Sequence, residues 1–555
     1  MSKNFKMDDN VKLEILRLDN EGISMNKISE LVGINKSTVS RFLRKLTHKE
    51  WWERNDNKPI ASGNYKDHHA KIEKLPGNRF ILTSAQNNTY VHPKFLKSLE
   101  NAAEYMGAQI LVGTFSYNIA EYRAHNNQLS EKYKNRETNQ NLEKGDNLFF
   151  DPMIKEYIVD EPKMLTKDLM WNGELNISPT AVNPFSGMEG YTKGISGIFP
   201  HVKVGMKPLA RHKMEDPRYL FSTGSITKKN YIQKKAGQKG ALHHTFAALL
   251  IEVDEEGDWF PRQLVADSGT GEFYDLDVLY TPEGVFPGQS AEAIQWGDLH
   301  SEKADEEVYK VSFGNHPDSL LNRLNPTYQF VNDVLDFTSR NHHNIKDPYF
   351  RFKRYIEGKE SVLDDIKQVA DTLEMMKRDS TITVIVESNH DLALQRWLKE
   401  SDYKSDPANS IPFLELQLAT YKALESGDDD FSIFEYAMNK YHGIGEGSDY
   451  TIFLREDESF KICGSIESGC HGHLGNNGGR GSVSAFKKRG IRYNVGHSHS
   501  PCIDEGVYYA GVSGKLSEFT YAKGGTTWDH GHIVTYPNGK RAIYLIRNGK
   551  YYAKS

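Results

Sequence analysis

The chain has 555 residues, of which 38% are hydrophobic and 26% are charged, and its formal net charge is −6. This length predicts two or three domains, and the overall charge does not indicate a protein that binds nucleic acid over its whole surface. The sequence contains no apolar run of 18 residues, no secretory leader and only three cysteines, which argues against a membrane span, a disulfide framework and a structural zinc site and predicts a cytoplasmic protein.

The first 52 residues predict a small all-α domain. Residues 10–47 fit three short helices. Gly33 separates the second helix from the third, as in a helix-turn-helix motif. Residues 1–75 carry 15 Lys and Arg against 11 Asp and Glu, so this region has a net charge of +4 and the remainder −10. The third helix would present DNA-contacting side chains, namely Lys36, Ser37, Thr38, Ser40, Arg41, Arg44 and Lys45. The alternative is a helical bundle that mediates oligomer contacts.

A polar linker is predicted at 53–75, followed by an α/β and loop-rich domain or insertion at 76–290. Its regular parts are a β-α-β unit and two later strand regions, predicted at Phe80–Ser84, Pro93–Met106, Ile110–Thr114, Phe246–Val253 and Asp275–Tyr280. Between them, residues 115–240 show weak periodicity and many Asn, Lys, Gly and Pro residues, which is typical of loops.

From 291 to 515, short apolar strands alternate with helical stretches such as Ser361–Lys377 and Phe413–Ser426. This alternation predicts an α/β domain whose functional edge lies at the carboxyl ends of the strands. The tail, 516–555, fits a β meander with hairpin turns at Asn538-Gly539 and Asn548-Gly549.

Five short segments within 291–515 carry Asp, Asn or His, the side chains that bind divalent metals. In chain order they are Asp298-Leu299-His300, Asp333-x-x-Asp336, Asn389-His390-Asp391, His471-Gly472-His473 and Gly496-His497-Ser498-His499. Most follow predicted strands, at Ala293–Trp296, Tyr328–Val331, Thr381–Val386, Ile462–Ile466 and Tyr493–Val495. Each segment alone also fits a helix cap or a turn. Two similar patterns lack this context: Asp67-His68-His69 lies in the linker and is expected at the surface, and His530 and His532 are expected to be structural or peripheral.

As an ordered set, the segments resemble the calcineurin-like metallophosphoesterase superfamily, whose blocks run D-x-H, G-D-x-x-D, G-N-H, H and G-H-x-H. The resemblance covers roughly 291–512 and implies layered sheets with helices around two divalent ions. It implies one ion bound by Asp298, His300, Asp333 and His499, and a second bound by Asp333, Asn389, His471 and His497. It also implies that His390 is a general acid oriented by Asp336.

Three positions leave this assignment open. Asn332 and Ser388 stand where the superfamily has Gly, so two turns are less permissive than usual. His473 is an alternative to His471 as the fourth block, although His471 is the one followed by Gly.

Within that superfamily the chain is similar to the Mre/SbcD repair nucleases, and its layout resembles the pre-early proteins of two-step-injecting tailed coliphages, which are implicated in host DNA degradation. This resemblance implies a manganese-dependent DNase, with magnesium as the alternative ion, that acts on DNA as a homo-oligomer in the host cytoplasm. Two other functions remain open. The site would also suit a phosphatase or small-molecule phosphodiesterase, and the N-terminal domain would suit a DNA-binding regulator with a metal-stabilised domain.

Overall fold

The computed structural model describes residues 8–21, 23–45, 72–117, 150–213, 215–342, 344–445, 450–520 and 522–553. Residues 53–71 of the linker predicted at 53–75, and with them the pattern Asp67-His68-His69, therefore lie outside the described residues.

Three N-terminal helices confirm the predicted helix-turn-helix arrangement: α1 (Asp9–Asn20), α2 (Met25–Val32) and α3 (Lys36–Lys45). The Ser24 hydroxyl accepts a hydrogen bond from the Lys27 amide and caps α2, which ends at Gly33 with a left-handed φ of 65°. The helices enclose a small core of their own, formed by Ile15, Leu18, Ile28 and Val39.

The next part of the chain contains the predicted β-α-β unit, in which β1 (Arg79–Gln86) and β2 (Gln109–Phe115) pair in parallel around α4 (Pro93–Met106). It continues with one helix, α5 (Lys235–His243), and ten strands: β3 (Pro162–Met164), β4 (Leu169–Asn172), β5 (Ser196–Phe199), β6 (His201–Leu209), β7 (Arg218–Gly224), β8 (Ala247–Val253), β9 (Trp259–Val265), β10 (Phe273–Asp275), β11 (Val278–Thr281) and β12 (Gly284–Pro287).

Two expectations for this part are corrected. The region expected to be loop-rich supplies the five strands β3 to β7, most of them too short to show a clear period in the sequence. The single strand expected at Asp275–Tyr280 is a hairpin of β10 and β11, because Leu276 adopts a left-handed φ of 50° and turns the chain.

The second half supplies eleven strands: β13 (Ala293–Gln295), β14 (Tyr328–Val331), β15 (Ile382–Val386), β16 (Thr451–Leu454), β17 (Lys461–Ile462), β18 (Ile466–Glu467), β19 (Arg492–Val495), β20 (Cys502–Asp504), β21 (Val507–Tyr509), β22 (Gly531–Thr535) and β23 (Arg541–Leu545). Its helices are α6 (Glu306–Phe313), α7 (Leu320–Leu324), α8 (Pro348–Ile356), α9 (Val362–Met376), α10 (Ala393–Glu400), α11 (Ser410–Ser426), α12 (Ile433–His442) and α13 (Val483–Lys487). Of the helices in the described ranges, none is both long and apolar enough to span a bilayer.

A six-stranded sheet with the order β16-β15-β14-β13-β22-β23 forms the centre of this half. Strands β13 to β16 are parallel, whereas β22 pairs antiparallel with β13. One face of the sheet packs Ile294, Val331 and Ile385 against the helices. The other face packs Phe330 and Val384 against the β17–β18 hairpin. Because β13, β14 and β15 run in parallel, the segments that follow them leave the same edge of the sheet.

A ten-stranded sheet crosses the whole body in the order β17-β18-β19-β21-β20-β6-β7-β5-β4-β3. Strand β20 pairs with β6, so strands from both sides of the expected boundary at residue 290 share one sheet. Strands β22 and β23 form the hairpin expected around Asn538-Gly539, and this hairpin joins the six-stranded sheet. Smaller sheets have the orders β2-β1-β8-β9 and β10-β11-β12. The protein is thus a helix-turn-helix domain followed by a mixed α/β body with several sheets.

Candidate metal centre

The five metal-binding segments converge at one edge of the two large sheets. Strands β13, β14 and β15 lead to the first three segments, the chain after β18 leads to the fourth, and β19 leads to the fifth. The first segment is fixed by the backbone on two sides, because the Asp298 amide donates to Gly511 O at 3.1 Å and the His300 amide donates to Asp333 O at 2.7 Å. Residues up to 200 positions apart in sequence therefore meet in one buried cluster.

Four side chains of this cluster could hold a metal ion. The potential ligand atoms of Asp298, His300, Asp333 and His499 all lie within 4.8 Å of one another, and all four residues are buried. His499 Nε2 lies 3.1 Å from His300 Nε2 and 3.3 Å from Asp298 Oδ2, and His300 Nε2 lies 3.7 Å from Asp333 Oδ2. Two ligands that bind one ion at about 2.1 Å and at right angles are separated by about 3 Å, so these spacings fit a shared ion.

The hydrogen bonding of the cluster also fits a cation. Both carboxylate oxygens of Asp298, Asp333 Oδ1 and His499 Nδ1 are buried, and they make no hydrogen bond of good geometry with the described residues. A buried carboxylate without a partner is costly unless a positive charge compensates it.

Burial within the cluster also shifts the pKa values of Asp298 and His499. Burial and the neighbouring Asp333 raise the pKa of Asp298 well above its usual value, by more than the nearby His497 amide lowers it. Burial holds the pKa of His499 well below its usual value, which keeps its imidazole in the neutral form that binds metals.

The expected second set, Asp333, Asn389, His471 and His497, lies beside the first. His471 Nε2 is 3.3 Å from Asp333 Oδ1, and the rings of His471 and His497 are 5.2 Å apart. Asn389 Oδ1 and both ring nitrogens of His471 are buried and make no hydrogen bond of good geometry among the described residues. His473 instead pairs with Glu456, at 2.7 Å between Nε2 and Oε1. This arrangement favours His471 over His473 as the residue that faces Asp333.

Asp336 lies next to His390, where the expected orienting role requires it. Its Oδ1 is 3.3 Å from His390 Nδ1 and 2.9 Å from His300 Nδ1, so one carboxylate oxygen serves two histidines. Thr338 donates to its Oδ2 at 2.5 Å, and Lys303 pairs with the same oxygen. Although burial opposes it, the hydrogen bond from His300 and the proximity of His390 and Lys303 hold the pKa of Asp336 well below its usual value. Against the lowering effect of its own burial, the negative charges of Asp333 and Asp336 raise the pKa of His390 to about 10.

Left-handed backbone is concentrated at this site. His300, Asp333, Phe337, His497 and His499 have φ values between 44° and 68°. Such conformations are uncommon for residues other than Gly and tend to occur at functional sites. After β14 it is Asp333 that has the left-handed φ, and Asn332 before it does not. The turn therefore does not require glycine at position 332.

Ser388, the second departure from the superfamily pattern, has a role of its own. Its hydroxyl donates to Asp391 Oδ2 at 2.8 Å, and Asp391 Oδ1 accepts from the Leu335 amide at 3.0 Å. These bonds join the loop after β15 to the loop after β14.

Sequence reasoning missed three neighbours of the cluster: Lys303, Phe519 and Trp528. The Phe519 ring lies 4.9 Å from His300, and the Trp528 ring lies 4.5 Å from His499. Lys303 lies three residues after His300, and this proximity in sequence could have predicted that it lies near the cluster. No spacing in the sequence predicts the same for the two aromatic residues.

His532 is buried outside the cluster and has a structural role, as expected. Its Nδ1 lies 3.0 Å from the Gly297 amide, from which it accepts a hydrogen bond, and its Nε2 lies 2.8 Å from Ser312 Oγ. His530 contacts the Val512 carbonyl through Nδ1 at 2.9 Å.

The expected DNA-contacting residues lie on α3. Lys36 and Ser37 are exposed, and Thr38 and Ser40 are half-buried. The Ser37 hydroxyl donates to Asn35 Oδ1 at 2.9 Å at the start of the helix. The side chains of Arg41, Arg44 and Lys45 lie outside what the structure describes.

Comparison with known proteins adds two similarities. Residues 9–51 match the family model of winged helix-turn-helix DNA-binding domains, which confirms the motif predicted from the sequence. The chain is 41% identical over 515 residues to Protein A1 of Escherichia phage T5, a match that covers 90% of this chain and 87% of that protein. No solved structure matches the chain.

Proposed function

The chain belongs to the family of Protein A1 of Escherichia phage T5, and we propose that it is a metal-dependent deoxyribonuclease. The observation that carries this proposal is the convergence of buried carboxylate and imidazole atoms that make no hydrogen bond of good geometry among the described residues, next to a histidine that faces the Asp336 carboxylate. The proposed role is degradation of host DNA in the cytoplasm of the infected cell.

In this proposal the cluster binds two divalent ions, manganese or alternatively magnesium. Asp298, His300, Asp333 and His499 hold the first ion. Asn389, His471 and His497 hold the second and share Asp333 with the first. When bound, such ions polarise the phosphate and supply a strong nucleophile at neutral pH.

The proton for the leaving group comes from His390. Its Nδ1 faces Asp336, so Nε2 is the nitrogen left to donate a proton to the departing oxygen of the cleaved phosphodiester. The Asp336 carboxylate beside Nδ1 favours the protonated imidazole, which can then donate a proton from Nε2. The His390 side chain is 18% exposed, whereas those of His300, His471 and His499 are almost fully buried. His390 is therefore the histidine of this set most open to a bound substrate.

The N-terminal domain points to DNA as the substrate. The winged helix-turn-helix match covers that domain, and the net charge of residues 1–75 is +4 in a chain that is otherwise acidic. Positive charge next to exposed polar residues on a recognition helix provides affinity for the phosphate backbone. Because the rest of the chain has a net charge of −10 and repels the phosphate backbone, the N-terminal domain is the part expected to bind a duplex.

A nuclease assay with chelator and metal add-back tests the proposal. Duplex DNA should be degraded in the presence of Mn²⁺ or Mg²⁺, not in chelator, and not by Asp298→Ala or His390→Gln. The exposed His212 provides a matched control, and His212→Gln should retain full activity. DNA cleavage that persists in clean preparations of Asp298→Ala would refute the assignment.

The same assay separates the competing functions. Turnover of phosphomonoesters with no cleavage of DNA would indicate a phosphatase. Binding of DNA with no turnover of either substrate would indicate a regulator, the function that the helix-turn-helix match would support by itself.

A further inference from the structure

Helix α11 has two apolar faces, and the described part of the chain buries only one of them. Pro412, Phe413, Leu416 and Ala423 point into the core. Five other large apolar side chains are between 44% and 72% exposed; these residues, Ile411, Leu414, Leu418, Tyr421 and Leu424, are termed the α11 stripe. Their spacing of three or four residues puts them on one side of the helix. We propose that the α11 stripe is the contact between two copies of this chain, which pack α11 against α11 in antiparallel orientation about a two-fold axis at Leu418.

The size of the stripe favours a protein partner. From the exposed fractions and the usual areas of these side chains, it presents on the order of 600 Å² of apolar surface. That is at the upper end for the largest apolar patch of a soluble monomer. It also approaches the share of about 800 Å² that each partner contributes to a stable protein interface.

The order of residues favours a second copy as that partner. A two-fold contact requires that when one residue meets another, the reverse contact also occurs. In an antiparallel pair centred on Leu418, Leu418 meets itself. Leu424 and Tyr421 of the second copy then lie one residue, about 1.5 Å along the helix axis, from the positions directly opposite Ile411 and Leu414. Every apolar residue of the stripe therefore finds an apolar partner in this one register.

The charges that border the stripe fit the same register. Glu415 and Lys422 lie on the same side of the stripe. Glu415 pairs with Lys440 of α12 at 3.0 Å, and the axis at Leu418 brings Lys422 of the second copy within one residue of it as a second positive charge. Opposite charges then face each other across the contact, which favours this register over one with like charges opposed. Glu425 would lie near the amino end of the opposing helix, where the helix dipole favours a carboxylate.

The start of α11 is linked to the loop after β14. Arg340, four residues after Asp336, binds Asp406 through Nε at 2.5 Å and Nη2 at 2.7 Å. Asn409, the residue before α11, donates to both carboxylate oxygens of Asp406 at 3.1 Å. A dimer formed through α11 would therefore hold the two Asp/His clusters at a fixed separation.

The first test measures molecular mass, so it is independent of any catalytic activity. By light scattering or sedimentation the full-length protein should be a dimer, and Leu418→Glu should weaken dimerisation about 100-fold or more, because two carboxylates would meet on the axis. Leu242→Glu is the matched control, since Leu242 is 77% exposed on α5 and lies outside the stripe. A monomeric wild-type protein would overturn the proposal. So would a Leu418→Glu variant that dimerises as tightly as wild type, or a dimer abolished instead by Phe352→Glu on the exposed side of α8.

The second test addresses the position of the axis. Leu418→Glu and Leu418→Lys should each be monomeric, because each places like charges together, and a mixture of the two should form a heterodimer in which Glu faces Lys. Both variants should keep the circular dichroism spectrum and unfolding midpoint of Leu242→Glu, which separates loss of association from loss of folding. If the folded variants fail to associate when mixed, the two-fold register at Leu418 is wrong.

Discussion

Replacing Asp298 by Asn should make the protein more stable without metal and reduce the stabilisation that it gains from metal. Both carboxylate oxygens of Asp298 are fully buried and make no hydrogen bond of good geometry with any residue that the structure describes, and burial and Asp333 raise the pKa of Asp298. Asn has the same shape without the charge. In the place of Oδ2, its amide group would lie about 3.3 Å from His499 Nε2, and either its oxygen or its nitrogen can face that atom, according to the tautomer of His499. In chelator, Asp298→Asn should therefore be more stable than wild type by about 1–3 kcal/mol, the usual cost of leaving such a group unsatisfied.

Saturating metal should cancel this difference or reverse it. An ion at 100 times its dissociation constant stabilises the folded protein by about 2.7 kcal/mol. Loss of an anionic ligand that weakens binding 100-fold removes about 2.7 kcal/mol of binding free energy, so the variant should gain little from the same metal concentration.

Denaturant unfolding of wild type and Asp298→Asn, each in EDTA and in MnCl₂, measures both effects. His212→Gln should follow wild type under both conditions. If Asp298→Asn is less stable than wild type even in EDTA, other groups of the folded protein already stabilise the Asp298 carboxylate. Its burial would then not indicate a metal site. If the midpoint of wild type does not respond to metal, the cluster does not bind it.

Three further predictions follow from other parts of the molecule. His390→Gln should lower kcat on DNA by about 10²- to 10⁴-fold while leaving the metal-induced gain in stability unchanged, and an equal loss of metal response would place His390 among the ligands instead. Lys36→Glu should weaken duplex binding, measured by fluorescence anisotropy at several salt concentrations, and make its log–log salt dependence shallower by about one unit. Hydrolysis of a small phosphodiester should stay unchanged in this variant, and a parallel loss would contradict a separate DNA-holding domain. Arg340→Ala should lower the free energy of unfolding by about 3–5 kcal/mol, because Asp406 would remain buried without its partner, and a change below 1 kcal/mol would show that Asn409 suffices for it.

The parts of the fold that could be predicted are those whose signal is local. Strands β14 and β15 are short, largely apolar and buried on both faces, and the segments after them could be recognised as a site because parallel strands end at one edge. The helix-turn-helix could also be predicted from the sequence, because Ser24 and Gly33 mark the two ends of α2.

The ten-stranded sheet could not be predicted in the same way. Strands β17 and β18 have only two residues each, and β20 pairs with β6 across about 300 residues of sequence. Phe519 and Trp528 reach the histidines only through tertiary folding, so no spacing rule could assign them to the site. The sequence likewise could not predict that His300 and His390 both contact Asp336, because these contacts depend on the distances between loops.

The pairing of β22 with β13 has a consequence for the synthesis of the protein. Strand β13 lies between β14 and β22, and His532 of β22 accepts the hydrogen bond from Gly297 at the turn that leads to Asp298. On the ribosome, all five metal-binding segments emerge before β22 does. Until then β13 has an unpaired edge, and the Gly297 amide lacks its acceptor. The nascent chain therefore cannot complete the cluster before β22 has left the ribosome.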